Sequence, residues 1–278
     1  MNGQAGPGNH VLPPEQVAPA AHAAVYWMLA DTLVMAKRQL IKMPRIPDEL
    51  MAATVQPILF VLLFRYVFGG AIAIRGTSYI NYLMPGIFVQ SVIFAAAATG
   101  VGVAIDLQRG LVDRFRSLPM AKSAVLTGRT LADLIRITFI VVVLWAVGLL
   151  VGFRPEGTIL AWLAAMGLLL LSCYTFSWFS ALLGLLLSSA EAVQQAVVIW
   201  AFPLVFASSA LVPTNTMPGW LRAFAEHQPV SLLINAIRGL LLKQPNATAT
   251  WQAIVWYVSL LVVFIPLTVW AYGRRTTR

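Results

Sequence analysis

Three arginines and two aspartates crowd into DLQRGLVDRFRSLPM, Asp106–Met120, between two apolar stretches that are each about long enough to cross a bilayer. At helical spacing, Arg109, Asp113 and Arg116 form a charged stripe, with Arg114 beside it. Leu107, Leu111, Phe115 and Leu118 form an apolar stripe opposite. Gly110 leaves one spot bare, where another backbone can approach, and Pro119 ends the helix. Such a helix suits ionic docking rather than bond-making. Asp106 and Asp113 sit among arginines, so they pair with them or cap the helix instead of working as an acid–base couple. A loop needed only for topology requires positive charge but no second, ordered stripe. The pattern therefore points to docking on another protein; the competing reading is a charged helix on lipid headgroups.

The rest of the chain offers little reactive chemistry. There is no H-E-x-x-H, no G-x-S-x-G and no carboxylate cluster, which argues against a membrane-embedded enzyme. His10, His22 and His227 lack metal-ligand spacing, and Cys173 is the one cysteine, inside an apolar run. No G-x-x-x-x-G-K-[ST] loop is present to cradle ATP, so no cofactor is expected on this chain.

Composition says what must position the charged helix. Of 278 residues, 59% are hydrophobic and 10% charged, against roughly a quarter charged in soluble domains. An all-α integral membrane protein is expected. The formal charge of +9 comes from lysines and arginines at the ends of apolar runs, which argues for topology rather than nucleic-acid binding. Six transmembrane helices are expected near Met51–Phe68, Tyr82–Ile105, Leu131–Val151, Ile159–Leu187, Val193–Val212 and Trp251–Tyr272. With both termini cytoplasmic, the inner segments carry Lys37, Arg38, Lys42, Arg45, Arg109, Arg114, Arg116, Lys122, Arg129, Arg274, Arg275 and Arg278. The outer ones carry only Arg75, Arg154, Arg222, Arg238 and Lys243, so the Asp106–Met120 helix falls on the cytoplasmic side. Arg65 and Arg136, near span ends, are expected to snorkel.

Two more segments are helical but do not span. Residues 1–22, rich in Ala, Pro and Gly, read as a disordered tail. Residues 23–46 read as an amphipathic interface helix with Lys37, Arg38 and Lys42 on its polar side. Residues 47–278 then form the transmembrane domain. Within it, Pro213–Leu242 is expected outside as a re-entrant hairpin, divided by Pro218 and Pro229. Its apolar part, Val230–Leu242, makes only ~20 Å of helix, too short to cross. Trp220 and Phe224 share a face there and suit a gate; Asn235 and Arg238 are its polar groups, with Arg238 expected to pair with a carboxylate such as Glu226 or with lipid phosphate.

A pathway, if the chain forms one, draws on weak candidates: Gln56, Phe60, Phe88, Gln90 and Phe94, with Phe64, Ser91, Thr99 and Ser180 near them. Asp106, Asp133 and Glu191 are placed at span ends, which disfavours an ion-coupled carrier or channel, since those hold an ionisable group near the membrane centre.

LMPGIFVQS (Leu83–Ser91), DLQRGLVDRFRSLPMAKSAVLTGR (Asp106–Arg129) and MPGWLRAFAEHQPVSLLINAIRGLLL (Met217–Leu242) resemble the type-2 permeases of ABC transporters, and within them the daunorubicin-resistance-type permeases common in actinobacteria. The resemblance runs from about Ala36 to Arg275. It implies a bacterial plasma-membrane exporter subunit. The segment near 106–119 would be the coupling helix resting on a separate ATP-binding subunit, which carries ATP and Mg. Two such ATPases would work with two permeases, the second a copy or a paralogue. Drug, lipid, polyketide and glycan cargoes all remain open.

Overall fold

The computed structural model describes residues 47–72, 74, 76–109, 122–244 and 246–275. The tail 1–22, the interface helix 23–46 with Lys37, Arg38 and Lys42, and the stretch Gly110–Pro119 all lie outside the described residues. Every regular element among the described residues is helical. They are α1 (Pro47–Leu63) running into a π-helical turn (Phe64–Phe68), α2 (Tyr79–Gln108), α3 (Lys122–Leu150), α4 (Ile159–Leu186), α5 (Ala190–Phe206), a 3-10 turn (Thr214–Thr216), α6 (Gly219–His227), α7 (Pro229–Leu241) and α8 (Ala247–Arg275).

Tyr79–Gln108, Asp133–Leu150, Ile159–Leu186 and Ala247–Arg274 are each long and apolar enough to cross a membrane. Thr54–Phe68, Ala190–Phe206 and Pro229–Leu241 are apolar but shorter. Side chains start several of these helices. Thr158, Ser189 and Asn246 accept from the backbone N–H three residues on, at 3.3, 3.1 and 2.9 Å, filling donors that a helix start leaves empty. Pro229 opens α7 as its first residue, where the missing N–H costs nothing. Along α8, Trp251 and Trp270 are exposed and ~28 Å apart at 1.5 Å per residue, close to one hydrocarbon thickness. Arg274 stacks over Trp270 at 4.1 Å.

α2 is the axle. It packs against α1, α3, α4, α5 and α7, most extensively against α4. Between lipid-facing helices there is little hydrophobic drive to associate, so close backbone approach must supply the contact. At the α2–α4 crossing, a Cβ on Gly100 would overlap the Ser180 carbonyl, and one on Gly184 would overlap the Gly100 carbonyl. Toward the Tyr79 end, a Cβ on Gly86 would strike the Ala210 backbone. Three glycines thus let α2 lie directly on its neighbours.

Gly100→Val is expected to separate α2 from α4 and destabilise by about 1–3 kcal/mol, as overpacking does. Gly167→Val, with open space around its Cβ, should be silent. Thermal melts of the two variants in detergent check this.

Candidate functional site

The chemistry of the bundle gathers where α5 stops. Span five was expected to reach Val212, but α5 unwinds after Phe206. Ser208 is the physical reason: its hydroxyl donates to the Val205 carbonyl and accepts from the Ala210 N–H, drawing the backbone out of the helix. The freed groups are met by side chains. Gln228 Nε2 donates to the Leu204 and Ala207 carbonyls at 2.9 and 2.7 Å. Ser231 Oγ accepts from the Ser209 N–H at 3.1 Å, and Ser209 Oγ donates to Asn235 Oδ1 at 3.0 Å. From α2, the Tyr82 hydroxyl donates to the Ser209 carbonyl (3.0 Å) and Tyr79 to that of Leu211 (3.1 Å).

Arg238 ties this seam together. Its Nη2 donates to the Ser209 carbonyl at 2.7 Å and to the Tyr82 carbonyl at 3.1 Å, and Nη1 donates to Asn235 Oδ1 at 2.8 Å. The guanidinium lies 3.7 Å from the Tyr82 ring centre. The expected pairing with Glu226 is corrected: Glu226 instead takes Arg222 Nε at 2.7 Å, one helical turn away, and the Thr214 hydroxyl. Helical spacing explains this, since Arg222 and Glu226 share a face of α6 while Arg238 is on α7. The Arg222 hydrogen bond lowers the pKa of the Glu226 carboxyl below its ordinary value.

The other hairpin residues divide by burial. Pro218 and Pro229 bound α6 at its two ends, as the sequence suggests. Trp220 is 77% exposed and Phe224 45%, so both face away from this chain's core. At the opposite end, α2 continues past the expected Ile105 to Gln108, so Asp106–Gln108 belong to α2 and not to a separate helix. Arg109 follows, exposed, with its backbone N–H on the Ile105 carbonyl. Gln108 Nε2 reaches the Ser188 carbonyl at 3.3 Å, linking this end of α2 to the α4–α5 turn. Leu111, Asp113, Arg114, Phe115, Arg116 and Leu118 lie outside the described residues.

The pathway candidates do not gather in one place. Phe88 is 2% exposed and edge-on to Phe153 inside the core, and Gln90 is buried on the same helix. Phe60 and Phe94 are half-buried; Gln56 is exposed on α1. Phe94 meets Phe202 of α5 edge-on at 5.3 Å. The exposed side of α5 runs from Glu191, Gln194 and Gln195 through Ile199 to Phe202 and Phe206.

Sequence reasoning missed one cluster. Asp133 and Arg136 were placed at the rim, with Arg136 snorkelling. Asp133 does open the apolar stretch of α3, but it is 8% exposed, and Arg136 turns inward to it at 2.7 Å. Thr99 of α2 donates to the other oxygen of Asp133, and Arg136 Nη2 also donates to the Ala95 carbonyl at 2.9 Å. The available signal was D-L-I-R itself, opposite charges at i and i+3 on one helix face. Among the described residues no group of His, Cys, Asp and Glu could hold a metal.

Arg238→Gln should destabilise the permease by about 1.5–3 kcal/mol, the worth of a charge-assisted hydrogen bond. Arg238→Lys should recover only part, because an ammonium lacks the flat fork. Glu226→Gln should leave the melting temperature unchanged. Equal losses for Glu226→Gln and Arg238→Gln would restore the discarded pairing.

Residues 30–242 match the ABC-2 type transporter family. The chain is 34% identical over 250 residues to the daunorubicin resistance ABC transporter permease protein DrrB1 of Streptomyces coeruleorubidus, covering 89% of this chain and 87% of that one. It is 32% identical over 274 residues to the probable doxorubicin resistance ABC transporter permease protein DrrC of Mycobacterium tuberculosis, covering 93% and 94%. It is 26% identical over 223 residues to a putative transport permease of Cyanophora paradoxa, covering 77% and 75%. In such systems ATP is hydrolysed by a separate subunit. A helical bundle with spanning helices and no nucleotide loop, matched over most of its length, belongs to the ABC-2 type transporter family as a membrane permease.

Proposed function

We propose that this chain is one membrane subunit of an ATP-driven exporter that moves a hydrophobic or amphipathic compound, a drug, lipid or polyketide, out of the cell. Six segments cross: α1 with its π-helical turn, α2, α3, α4, α5 and α8. Residues 213–242 are re-entrant from outside, and both termini are cytoplasmic. Two permeases, copies or paralogues, sit on two ATP-binding subunits that dock on residues 106–119 and hold ATP and Mg. The cargo passes between the permeases, and Trp220 and Phe224 close the exit.

The observation that carries this reading is the exposed side of α5. Glutamines near a helix end can face water, but lipid offers them no partner. A face that begins with Glu191, Gln194 and Gln195 and ends on stacked Phe202 and Phe206, 5.2 Å apart, suits a molecule with a polar part and an apolar part. The relatives from Streptomyces and Mycobacterium, a daunorubicin resistance permease and a probable doxorubicin resistance permease by name, support the drug reading.

The test is reconstitution of the permease with its ATPase in liposomes, with daunorubicin as probe. Arg114→Glu, and Phe115→Ala with Leu118→Ala, should reduce substrate-stimulated hydrolysis by at least about 5-fold, within the usual range of coupling energies, while insertion persists. Gln194→Leu with Gln195→Leu should raise the KM for the drug without loss of ATPase co-purification. Unchanged stimulation in the first pair would mean that residues 106–119 only rest on lipid. Efflux without ATP would instead favour a carrier or channel, and stimulation by a glycan alone a glycan exporter.

A further inference from the structure

We infer that Thr99, Asp133 and Arg136 form a clamp that makes α2 and α3 a single rigid lever, the part of the permease that carries displacement of the coupling segment into the bundle. The inference rests on the exporter reading above and names residues that reading does not use.

Position is the first argument. α2 ends and α3 begins on either side of the coupling segment, so any push on that segment acts on these two helices first. Thr99 is ~14 Å of helix from Gln108, and Asp133 is ~17 Å from Lys122. Thr99 is also ~30 Å from Tyr79, one hydrocarbon thickness away. The clamp therefore sits one hydrocarbon thickness from the Tyr79 end, on the side of the bundle where Gln108 ends α2 and Lys122 begins α3.

Register is the second argument. Thr99 and Ala95 are one turn apart on α2, and Asp133 and Arg136 are three apart on α3. The helices run antiparallel, so hydroxyl meets carboxylate and carbonyl meets guanidinium at the same level. A slip of one turn, ~5.4 Å, would set Asp133 against Ala95 or Val103, and neither carries a side-chain donor. The buried carboxylate would then lose its hydroxyl partner, which low dielectric makes unfavourable. Apolar residues would pack α2 on α3 as well, but would tolerate sliding. Asp133 and Arg136, paired with each other within α3, reach α2 through the Thr99 hydroxyl and the Ala95 carbonyl, and the Thr99–Asp133 bond forms in one register only. Thr99, Asp133 and Arg136 are thus positioning residues for energy coupling.

The experiment uses the full permease with its ATPase in liposomes, in a Cys173→Ala parent that has no other cysteine. Neutralising the clamp with Thr99→Ala, Asp133→Asn and Arg136→Gln should cut drug-stimulated hydrolysis and efflux by at least about 5-fold. In Thr99→Cys, Asp133→Cys, Arg136→Gln, the same loss is expected under reductant, and recovery once an oxidant joins the cysteines, whose parent side chains already touch. A merely structural role would give no such reversible recovery. Full coupling in the neutralised variant, or a disulfide seen by mass without recovery, overturns the clamp. Should the neutralised protein not insert, Thr99→Cys with Asp133→Cys and Arg136 retained decides it: a rigid lever predicts full coupled efflux when cross-linked, and stalled efflux refutes it. Failure of the parent to show ATP-dependent efflux is a separate result; it removes the exporter reading and this inference with it.

Discussion

An apolar surrounding supplies no partner for a bare peptide group, and a chain that leaves the helix inside a bundle must bring its own. The rest of this molecule is arranged around that demand at one place, the end of α5. Ser208 diverts the backbone, and Leu204, Ala207, Ser209 and Leu211 then present carbonyls that no helix uses. Gln228, at the junction of α6 and α7, and Arg238 of α7 answer, with Tyr79 and Tyr82 of α2. Because these side chains come from different elements, meeting the demand also fixes how α2, α5 and α7 sit together. The loop before α4 joins the same end: the N–H groups of Glu156 and Gly157 both fall on the Leu241 carbonyl, at 2.9 and 3.0 Å, at the C-terminus of α7.

The bundle therefore has two ends of different character. At the Tyr79 end, neutral hydrogen bonds and the Arg238 guanidinium lock short segments into place. At the Gln108 end, the Asp133–Arg136 pair of α3 is tied to α2 through the Thr99 hydroxyl and the Ala95 carbonyl, and Gln108 reaches the α4–α5 turn. Between them, α2 lies against α4 through Gly100 and Gly184 without intervening side chains. A helix held by backbone contact along its length transmits displacement rather than absorbing it, because a packed interior has few intermediate arrangements.

Much of the helix order was legible in the sequence, and the reasons differ by element. Ile159–Leu186 lies within a residue of its expected bounds because Thr158 caps one end and the apolar run is unbroken. Pro218 and Pro229 marked the divided hairpin, since proline restricts what precedes it. The end of α5 was not legible: nothing local distinguishes Ser208 from an ordinary helical serine, and the partners that stabilise its turn come from residues 20 or more positions later. The Arg238 partner was misjudged because a carboxylate was sought where carbonyls and a tyrosine ring serve. Asp133 and Arg136 were read one at a time, as rim charges, when their spacing already made them a pair.

The backbone of residues 204–213 is satisfied from within the protein, by Gln228, α7 and α2, rather than by water. Amide hydrogen exchange of the permease in nanodiscs, read by mass spectrometry, tests it directly. Peptides covering 204–213 and 228–238 should exchange far more slowly than the same peptides of the denatured protein, and Arg238→Gln should speed both together. Exchange in 204–213 as fast as in the denatured protein would contradict this, because the backbone at the end of α5 would then be held by solvent.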